Sequence, residues 1–210
     1  MPIDEYRTDS YLELYSGKIY TPNQKRQVQW DVIDIAHSLG NQCRFTGHCR
    51  HFYSVAEHSV LCSLLAEELG LCDPFEALMH DAHEAVISDM AAPWKPHLPD
   101  YRAAEKTAQY DLREHYGLPL ETTAGCHRID MIALFIEAEF LMKSKGQTWE
   151  DPLGVRVDAL RLVKRGGWHL TGMDPNQAKG AFLRRFSDVE TEPNRFWEAK
   201  DGNHVVKDTV

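Results

Sequence analysis

The sequence predicts a predominantly α-helical protein with a short β-hairpin near its N-terminus. From residue 30 onward, apolar residues recur almost throughout at the spacing of an α-helix. Several of these segments begin and end with capping residues, and no internal repeat or low-complexity linker divides the chain. We expect an N-terminal appendage over residues 1–29, one helical domain over residues 30–190 and a polar tail over residues 191–210.

The composition is that of an ordinary globular protein. The chain has 210 residues, of which 43% are apolar and 26% charged, and this length can bury a core without disulfide or metal crosslinks. Its formal net charge of -9 argues against a general nucleic-acid binder, which needs a basic surface. The acidic balance still allows a small local basic pocket for a phosphate group.

The cysteine pattern and the first residues favour a cytoplasmic protein. Five cysteines lie at irregular spacing, which is typical of reduced thiols rather than of a disulfide framework. The first ten residues are polar and acidic, unlike a secretory signal, and no apolar run reaches membrane-spanning length. We therefore expect no membrane partner. Cys43 and Cys49 lie near two histidines, but their spacing fits no common structural-zinc pattern.

A hairpin and a first helix are predicted at the N-terminal end. Residues 11–20 alternate in the manner of two strands with a glycine at the turn. The strand pair would either pack on the helical body, which we favour, or cover a site as a lid. An apolar stripe then predicts a helix over residues 30–40, which a glycine ends.

Two capped helices follow. Ser54 and Glu57 form the capping-box pattern at the start of a helix that ends at a glycine. Asp73, followed by proline, predicts a second N-terminus, and we expect that helix to continue to about Val86. Residues 87–99 contain three prolines and are predicted to form a loop.

The remaining sequence is helical in pattern as far as the tail. Apolar spacing predicts four more helices, over residues 100–116, 124–144, 154–164 and 174–187. The last twenty residues are polar, and we expect them to lie at the periphery.

Two imidazoles and two carboxylates form the most specific chemical pattern in the sequence: His58, His80, Asp81 and Asp130. Three converging helices could close these donors around one divalent ion at about 2.0–2.2 Å. A single histidine on a helix is usually an ordinary core or surface residue. The adjacent His80 and Asp81 differ, because ionisable groups in an apolar stretch are unfavourable unless paired or ligated. The set suits Mn, Co, Ni, Fe or Zn, and the donors alone do not select among them.

This pattern resembles that of the HD-domain metal-dependent phosphohydrolases. The first histidine lies in the segment SVAEHS and the His-Asp doublet in ALMHDAHEAVISDM, and the likeness extends from about Asp34 to Leu141. Within that superfamily the chain is similar to bacterial 5'-deoxynucleotidases and to phage deoxyadenosine-triphosphate triphosphohydrolases. The resemblance implies an all-α HD-domain helical bundle in which one divalent transition metal is bound by His58, His80, Asp81 and Asp130.

Two acidic residues near the doublet are candidate catalytic groups. Glu84 follows His80 by four residues, so both side chains would share a helix face and Glu84 could act on an attacking water. Asp89 comes just after this predicted helix. In similar enzymes the matching acids assist hydrolysis or contact the sugar hydroxyl. The alternative role for Glu84 is to orient His80 without touching the substrate.

Four residues are candidate substrate contacts. Arg44 can bind phosphate oxygens with its two-pronged guanidinium, and Arg50 lies in the same irregular segment. In the resembling nucleotidases an arginine and an aromatic residue stand at the place of Arg44 and Phe45, where the aromatic ring packs on the base or sugar. Trp94, in the proline-rich loop, could also pack on the base. The alternatives are an exposed Arg50, a core Phe45 and a Trp94 that anchors its loop.

Four further ionisable residues lie in the same segments as the candidate ligands but are not assigned as ligands. We expect His83 to face away from the site or to lie behind the ligands. His127, three residues before Asp130, shares its predicted helix face and could approach the metal region. Glu137 and Glu139 are expected to form ion pairs rather than to bind metal.

The resemblance implies a cytoplasmic enzyme that uses metal-activated water to attack the phosphorus of a small deoxynucleotide. It could release phosphate from a deoxynucleoside monophosphate, or triphosphate from a deoxynucleoside triphosphate with additional Mg2+. A homo-oligomer is consistent with the resemblance. One alternative is a regulatory, non-catalytic domain that binds nucleotide and metal, although such a domain needs no Glu84 or Asp89 beside an acidic site. Another is a cyclic-dinucleotide phosphodiesterase, although the sequence lacks the extended His-rich signature of that group.

Overall fold

A computed structural model of the protein describes residues 11–22, 30–167, 170 and 172–190, and the backbone of two strands near the C-terminus. The helices are α1 Val32–Asn41, α2 Val55–Leu69, α3 Pro74–Met79, α4 Glu84–Ile87, α5 Pro99–His115, α6 Ala124–Leu141, α7 Arg156–Arg165 and α8 Pro175–Glu190. The strands are β1 Leu12–Glu13, β2 Ile19–Tyr20, β3 Ala199–Lys200 and β4 Asn203–His204. The predicted helical architecture with an N-terminal hairpin is confirmed. Apart from the segment after Asp73, predicted and observed helix bounds agree within about three residues.

The hairpin packs on helix α1. Its strands pair antiparallel with Leu12 opposite Tyr20, and Gly17 supplies a positive φ at the turn. The backbone amide and the hydroxyl of Ser16 donate to the two carboxylate oxygens of Asp34, each at 2.7 Å. Tyr20 is buried in the apolar core. The strand pair therefore belongs to the helical body, as the favoured alternative predicted.

Helix α2 lies between two apolar clusters. The predicted capping box is present, because the Ser54 hydroxyl accepts the Glu57 amide at 3.2 Å and the Glu57 carboxylate accepts the Ser54 amide at 2.8 Å. The first turn of α2 belongs to an apolar cluster with residues of α1, α3, α5 and α8, whereas Leu61 and later residues belong to a second cluster that includes residues of α6 and α7. His58 lies between these clusters and is fully buried.

The prediction of one continuous helix through His80 is wrong. Helix α3 ends at Met79 and α4 begins at Glu84. Between them the Ala82 amide donates to the Met79 carbonyl at 3.1 Å, and the Glu84 amide donates to the Asp81 carbonyl at 2.9 Å. These bonds span three residues and tighten the backbone relative to an α-helix. His80 and Asp81 therefore lie on a turn, and regular helical spacing does not relate His80 to Glu84.

A buried ion pair fixes the end of α3 against α5 and α6. Nη2 of Arg113 donates to Oε1 of Glu76 at 2.7 Å, and neither side chain is exposed. The backbone amide and the hydroxyl of Thr123 donate to the same carboxylate at 2.9 and 2.7 Å. Because Glu76 precedes His80 by one helical turn, these bonds also locate the turn that carries His80 and Asp81.

Parts of the predicted termini lie outside the described residues. These parts are residues 1–10 and 23–29 of the predicted appendage and most of the predicted tail over residues 191–210. In the tail, β3 and β4 pair antiparallel, with Ala199 opposite His204. Among the described residues, no helix has both the length and the apolar character needed to cross a lipid bilayer.

Candidate metal centre

The four predicted metal ligands come together at one point. His58 comes from α2, His80 and Asp81 from the turn after α3, and Asp130 from α6. The Nε2 atoms of His58 and His80 lie 3.3 Å apart. Oδ2 of Asp81 lies 3.1 Å from His80 Nε2 and 3.6 Å from His58 Nε2. Oδ1 of Asp130 lies 3.2 Å from His58 Nε2 and 3.9 Å from His80 Nε2.

These separations fit a shared coordination sphere. Two donors bound to one ion at about 2.1 Å lie about 3.0 Å apart at a right angle and about 3.4 Å apart at the tetrahedral angle. The two imidazole nitrogens lie 3.1 to 3.9 Å from each other and from the oxygens of Asp81 and Asp130, at or slightly above those values. The cluster could therefore hold a divalent metal with a contraction of a few tenths of an ångström.

Both imidazoles present the correct nitrogen to the cluster. Nδ1 of His58 lies 2.6 Å from Oε1 of Glu137, and Nδ1 of His80 lies 2.8 Å from the carbonyl oxygen of Ala77. Each neighbour is an acceptor, so each Nδ1 carries the proton and donates it. The Nε2 lone pairs are left to face the cluster, which is the arrangement that supporting hydrogen bonds impose on metal-binding histidines.

The charges of the cluster favour a bound cation. Burial and the Arg44 guanidinium lower the pKa of His58, but Cys62 and the neighbouring carboxylates of Glu137 and Asp130 raise it well above the ordinary value. Burial also lowers the pKa of His80, but Asp81 and Asp130 raise it above the ordinary value. Burial raises the pKa of Asp81, but the two imidazoles hold it well below its usual range. The carboxylates are thus ionised and attract a positive charge, whether a proton or a metal ion.

Cys62 lies beside the cluster, one helical turn after His58. Its sulfur lies within 4.8 Å of donor atoms of His58, His80 and Asp130. The sulfur is nearly equidistant from the two ring nitrogens of His58, at 3.6 Å from Nε2 and 3.8 Å from Nδ1. A ligand to the same metal would lie ahead of Nε2 and much farther from Nδ1. Burial also raises the pKa of the Cys62 thiol to about 11. Cys62 therefore packs along the imidazole rather than in the coordination sphere.

Arg44 reaches the cluster while paired with Glu137. Its Nη2 donates to Oε2 of Glu137 at 3.2 Å, and its Nη1 lies 4.0 Å from Oδ2 of Asp81. The guanidinium carbon also lies 5.4 Å from the ring centroid of Phe45. Phe45 and Thr46 both have positive φ, 55° and 53°, an uncommon pair of conformations that is typical of functional segments. The predicted arginine–aromatic pair therefore lies at the edge of the cluster.

Of the two predicted catalytic acids, Glu84 is the first residue of α4 and Asp89 lies two residues after its end. Glu84 is buried, and burial together with Asp81 and Asp89 raises its pKa well above the ordinary value. Burial also raises the pKa of the partly buried Asp89, against the lowering effect of Arg44. The amide nitrogen of Gln42 donates to the Glu84 carbonyl at 3.0 Å, and its side-chain oxygen accepts the Asp89 amide at 3.0 Å. Gln42 thus fixes the backbone of both acids.

Buried polar atoms without partners surround the cluster. In the described part of the chain these side-chain atoms are Arg44 Nε, Tyr53 Oη, His83 Nδ1 and Glu84 Oε2. Arg44, His83 and Glu84 interact electrostatically with Asp81, and Tyr53 interacts with Glu137 and Arg44. Buried polar atoms are normally hydrogen-bonded. Their grouping at one place fits a site that also takes polar groups from a metal, water or substrate.

Three other predicted residues are exposed. The Arg50 side chain is exposed, while its backbone amide donates to the Leu141 carbonyl at 3.0 Å. Trp94 is 62% exposed and meets His97 edge to face at 6.4 Å. His127 is exposed and is not one of the clustered donors. The exposed position of Arg50 matches the alternative to a phosphate contact, and the substrate roles of Arg50 and Trp94 stay predictions.

The sequence reasoning missed three supporting residues, of which two carried a usable signal. Cys62 is four residues after His58, a spacing that places both on one face of α2. Glu137 forms an ion pair with Arg44, as predicted, and only its contact with His58 was missed. It lies seven residues after Asp130 and thus two turns along the same face of α6. Gln42 carries no local signal, because the residues it holds lie more than forty positions away.

A second group of metal-capable side chains is part of the core. Donor atoms of Cys72, Glu76 and Cys126 lie within 4.8 Å of one another, and all three residues are buried. Both oxygens of Glu76 already accept hydrogen bonds from Arg113 or Thr123. The Arg113 cation also disfavours a second positive charge there. All five cysteines are free thiols, as predicted.

The fold and the cluster define a helical protein with a buried His–Asp site that could hold a metal. The chain is 38% identical, over 181 residues, to the uncharacterized protein YfdR of Escherichia coli (strain K12), covering 86% of this chain and 96% of YfdR. It is 31% identical, over 153 residues, to an uncharacterized protein of Rhodobacter capsulatus, covering 63% of this chain and 76% of that protein. The chain belongs to the YfdR family. No family model matches the sequence.

Proposed function

We propose that this protein is a cytoplasmic HD-domain phosphohydrolase that uses one divalent transition metal to hydrolyse small deoxynucleotides. The observation that carries the proposal is the set of donor distances between His58, His80, Asp81 and Asp130, which fits one coordination sphere. A buried arginine and two acids with raised pKa values adjoin that set, as a phosphate-cleaving site requires. The sequence resemblance to HD-domain phosphohydrolases points to the same chemistry.

The histidine and aspartate ligands would contribute to metal binding in different ways. His58 and His80 would bind the metal through Nε2, and the acceptors at Nδ1 keep both rings in the required tautomer. Asp81 and Asp130 would supply the negative charge that retains a divalent ion. When bound, such a metal polarises phosphoryl oxygens and lowers the pKa of a coordinated water towards neutrality.

Glu84 is the candidate general base. Its Oε2 is buried without a partner in the described structure, so it is available to accept a proton from an attacking water. Its raised pKa makes it a stronger proton acceptor than an exposed glutamate. Asp89 is more open and lies at the end of α4, where it would contact the sugar hydroxyl of the substrate.

Arg44 is the candidate phosphate ligand. One guanidinium nitrogen is held by Glu137, while Nη1 faces Asp81 and Nε has no partner. These two nitrogens can donate to phosphate oxygens beside the metal and stabilise the charge that develops during in-line attack. Phe45 lies against the same guanidinium and would pack on the base or sugar.

Product analysis tests the proposal directly. Purified protein loaded with Mn2+ or Co2+ is incubated separately with each deoxynucleoside monophosphate and triphosphate, the triphosphates with added Mg2+. Orthophosphate from monophosphates would identify a 5'-deoxynucleotidase, whereas intact tripolyphosphate plus nucleoside would identify a triphosphohydrolase. Absence of turnover with metal bound would overturn the hydrolase and favour a regulatory nucleotide-binding domain. Sedimentation of the same preparation measures whether it is the homo-oligomer that the resemblance allows.

Arg44→Ala refines the assignment of the phosphate ligand. We expect a higher KM because the guanidinium contacts the phosphate. The control is Arg50→Ala, which removes an exposed arginine from the same segment. An unchanged KM in the Arg44 variant, with a raised KM in the Arg50 variant, would transfer the phosphate contact to Arg50.

A further inference from the structure

Glu137 is the most completely buried acid beside the metal cluster. It is 0% exposed, and its carboxylate is divided between two partners. Oε1 lies 2.6 Å from Nδ1 of His58, and Oε2 accepts from Nη2 of Arg44 at 3.2 Å. The partners lie 79 and 93 residues earlier in the chain, so only the fold brings the three side chains together.

The two contacts act on opposite sides of the site. The bond to His58 keeps the Nδ1 proton in place and aims Nε2 at the cluster. The bond to Arg44 holds one edge of the guanidinium, and the other edge is directed towards Asp81, 4.0 Å away. Helix α6 also carries Asp130, so one helix supplies a metal ligand and the residue that supports another.

A buried carboxylate is costly unless both oxygens are well paired. If the side chain at this position only filled space, a neutral glutamine would suffice, because it has nearly the same shape as glutamate. Glutamine, however, has one acceptor oxygen and one donor nitrogen. It could accept from His58 or from Arg44, but its amide nitrogen would then oppose a donor of the other partner.

We propose that Glu137 is a positioning residue that couples the metal ligand His58 to the phosphate-binding Arg44. The part of this inference that concerns phosphate rests on the proposed function, whereas the part that concerns metal binding does not. The coupling predicts that a bound metal and a bound phosphate favour each other, because the same position of the Glu137 carboxylate supports both His58 and Arg44. Removal of the shared carboxylate should weaken both and reduce their coupling.

Calorimetric titration of the metal-free protein with Co2+, and of the Co2+-loaded protein with inorganic phosphate, measures both affinities. We expect Glu137→Gln to weaken Co2+ binding by about 10–100-fold, the usual effect of losing a partner of a metal ligand. Phosphate binding should weaken as well. The matched control is Glu139→Gln, two residues along α6, which removes a carboxylate that pairs with Lys145 at 2.7 Å. It should leave both affinities within about threefold of the unchanged protein.

A second measurement keeps the inference testable if Glu137→Gln fails to fold. Nitrogen-15 NMR of the unsubstituted protein loaded with Zn2+ reports which ring nitrogen of His58 carries the proton. We expect a protonated Nδ1 in a strong hydrogen bond and an Nε2 bound to zinc. A zinc-bound Nδ1, or an Nδ1 without a proton, would overturn the role of Glu137.

The outcomes separate this inference from the proposed function. Unchanged Co2+ and phosphate affinities in Glu137→Gln would sink the coupling even if the protein hydrolyses nucleotides. Weaker Co2+ binding with no phosphate binding in either protein would support the link to His58 and overturn the link to Arg44. Loss of both affinities in the folded variant, with both retained in Glu139→Gln, would support the whole inference whether or not nucleotides are hydrolysed.

Discussion

The Nε2 atoms of His58 and His80 lie 3.3 Å apart in the interior of the protein. Both Nδ1 atoms already donate to other acceptors, so two nitrogen lone pairs would face each other at this distance. Such an approach is unfavourable unless a proton or a metal ion lies between the nitrogens. The pair is therefore compatible with one cation shared by helix α2 and the turn after α3.

Removal of either imidazole should remove the metal. We expect His58→Ala and His80→Ala each to abolish detectable Co2+ binding and nucleotide hydrolysis, because one imidazole and two carboxylates retain a transition metal poorly. The control is His127→Ala, which removes an exposed histidine near Asp130 and should leave binding intact. Calorimetry and metal analysis after gel filtration provide the measurement. Full metal content in either cluster variant would refute the ligand set.

Glu84→Gln should separate metal binding from catalysis. The variant keeps the shape of the side chain but loses the proton acceptor, so we expect a loss in kcat of about 100-fold or more. The metal content should stay unchanged, because Glu84 is not one of the four predicted ligands. Glu150→Gln, at an exposed position, is the control. If the Glu84 variant loses its metal instead, Glu84 supports the ligands and another residue is the base.

Cys62 should not bind the metal. The near-equal distances from its sulfur to the two nitrogens of His58 place it along the ring. We therefore expect the Co2+ form to lack the near-ultraviolet charge-transfer band of a thiolate ligand, and Cys62→Ser to bind Co2+ within a few-fold of the unchanged protein. The buried Cys72→Ser variant controls for general effects of thiol removal. A band that is present in the unchanged protein and lost only in Cys62→Ser would make Cys62 a ligand.

The residues of the cluster could be predicted because they are locally unusual. His80 and Asp81 interrupt an apolar stretch, and Ser54 with Glu57 shows where the helix carrying His58 begins. The bounds of the helix that carries His58 follow from caps and periodicity, which depend on neighbouring residues alone. The position of Asp130 on a long apolar helix could likewise be predicted from the apolar periodicity of that helix.

The geometry around the ligands could not be predicted from local pattern. Caps and apolar spacing favour a helix through His80, but three-residue hydrogen bonds replace it with a turn at that point. The support given by Gln42 to Glu84 and Asp89 depends on contacts across more than forty residues. Such contacts leave no periodic signal, because a polar residue at a helix end has many possible partners.

The buried pair of Glu76 and Arg113 should contribute strongly to stability. We expect Arg113→Ala to lower the free energy of unfolding by about 3–5 kcal/mol, because it leaves the Glu76 carboxylate buried without its cation. Arg161→Ala removes an exposed partner of Asp158 and should cost about 0–1 kcal/mol. Urea unfolding followed by circular dichroism measures both. Equal losses in the two variants would show that the buried pair has no special role.

Metal binding should reverse the pH dependence of stability. In the metal-free protein the pKa values of His58 and His80 are raised above the ordinary 6.5, so the folded state holds protons more tightly than the unfolded state. This contribution is complete below about pH 6.5 and is lost as the pH rises through the raised values. A metal ion binds the deprotonated rings, so its affinity rises over the same interval. We expect the Tm of the metal-free protein to fall as the pH rises from about 6.5 through the raised pKa values, and the increase in Tm on adding Zn2+ to grow over the same interval. Differential scanning fluorimetry across that range, with His127→Ala as the control, measures both trends.

A metal-free Tm that rises across the interval would contradict the raised imidazole pKa values, whereas a Zn2+ effect that is independent of pH would place the metal on groups other than these two histidines.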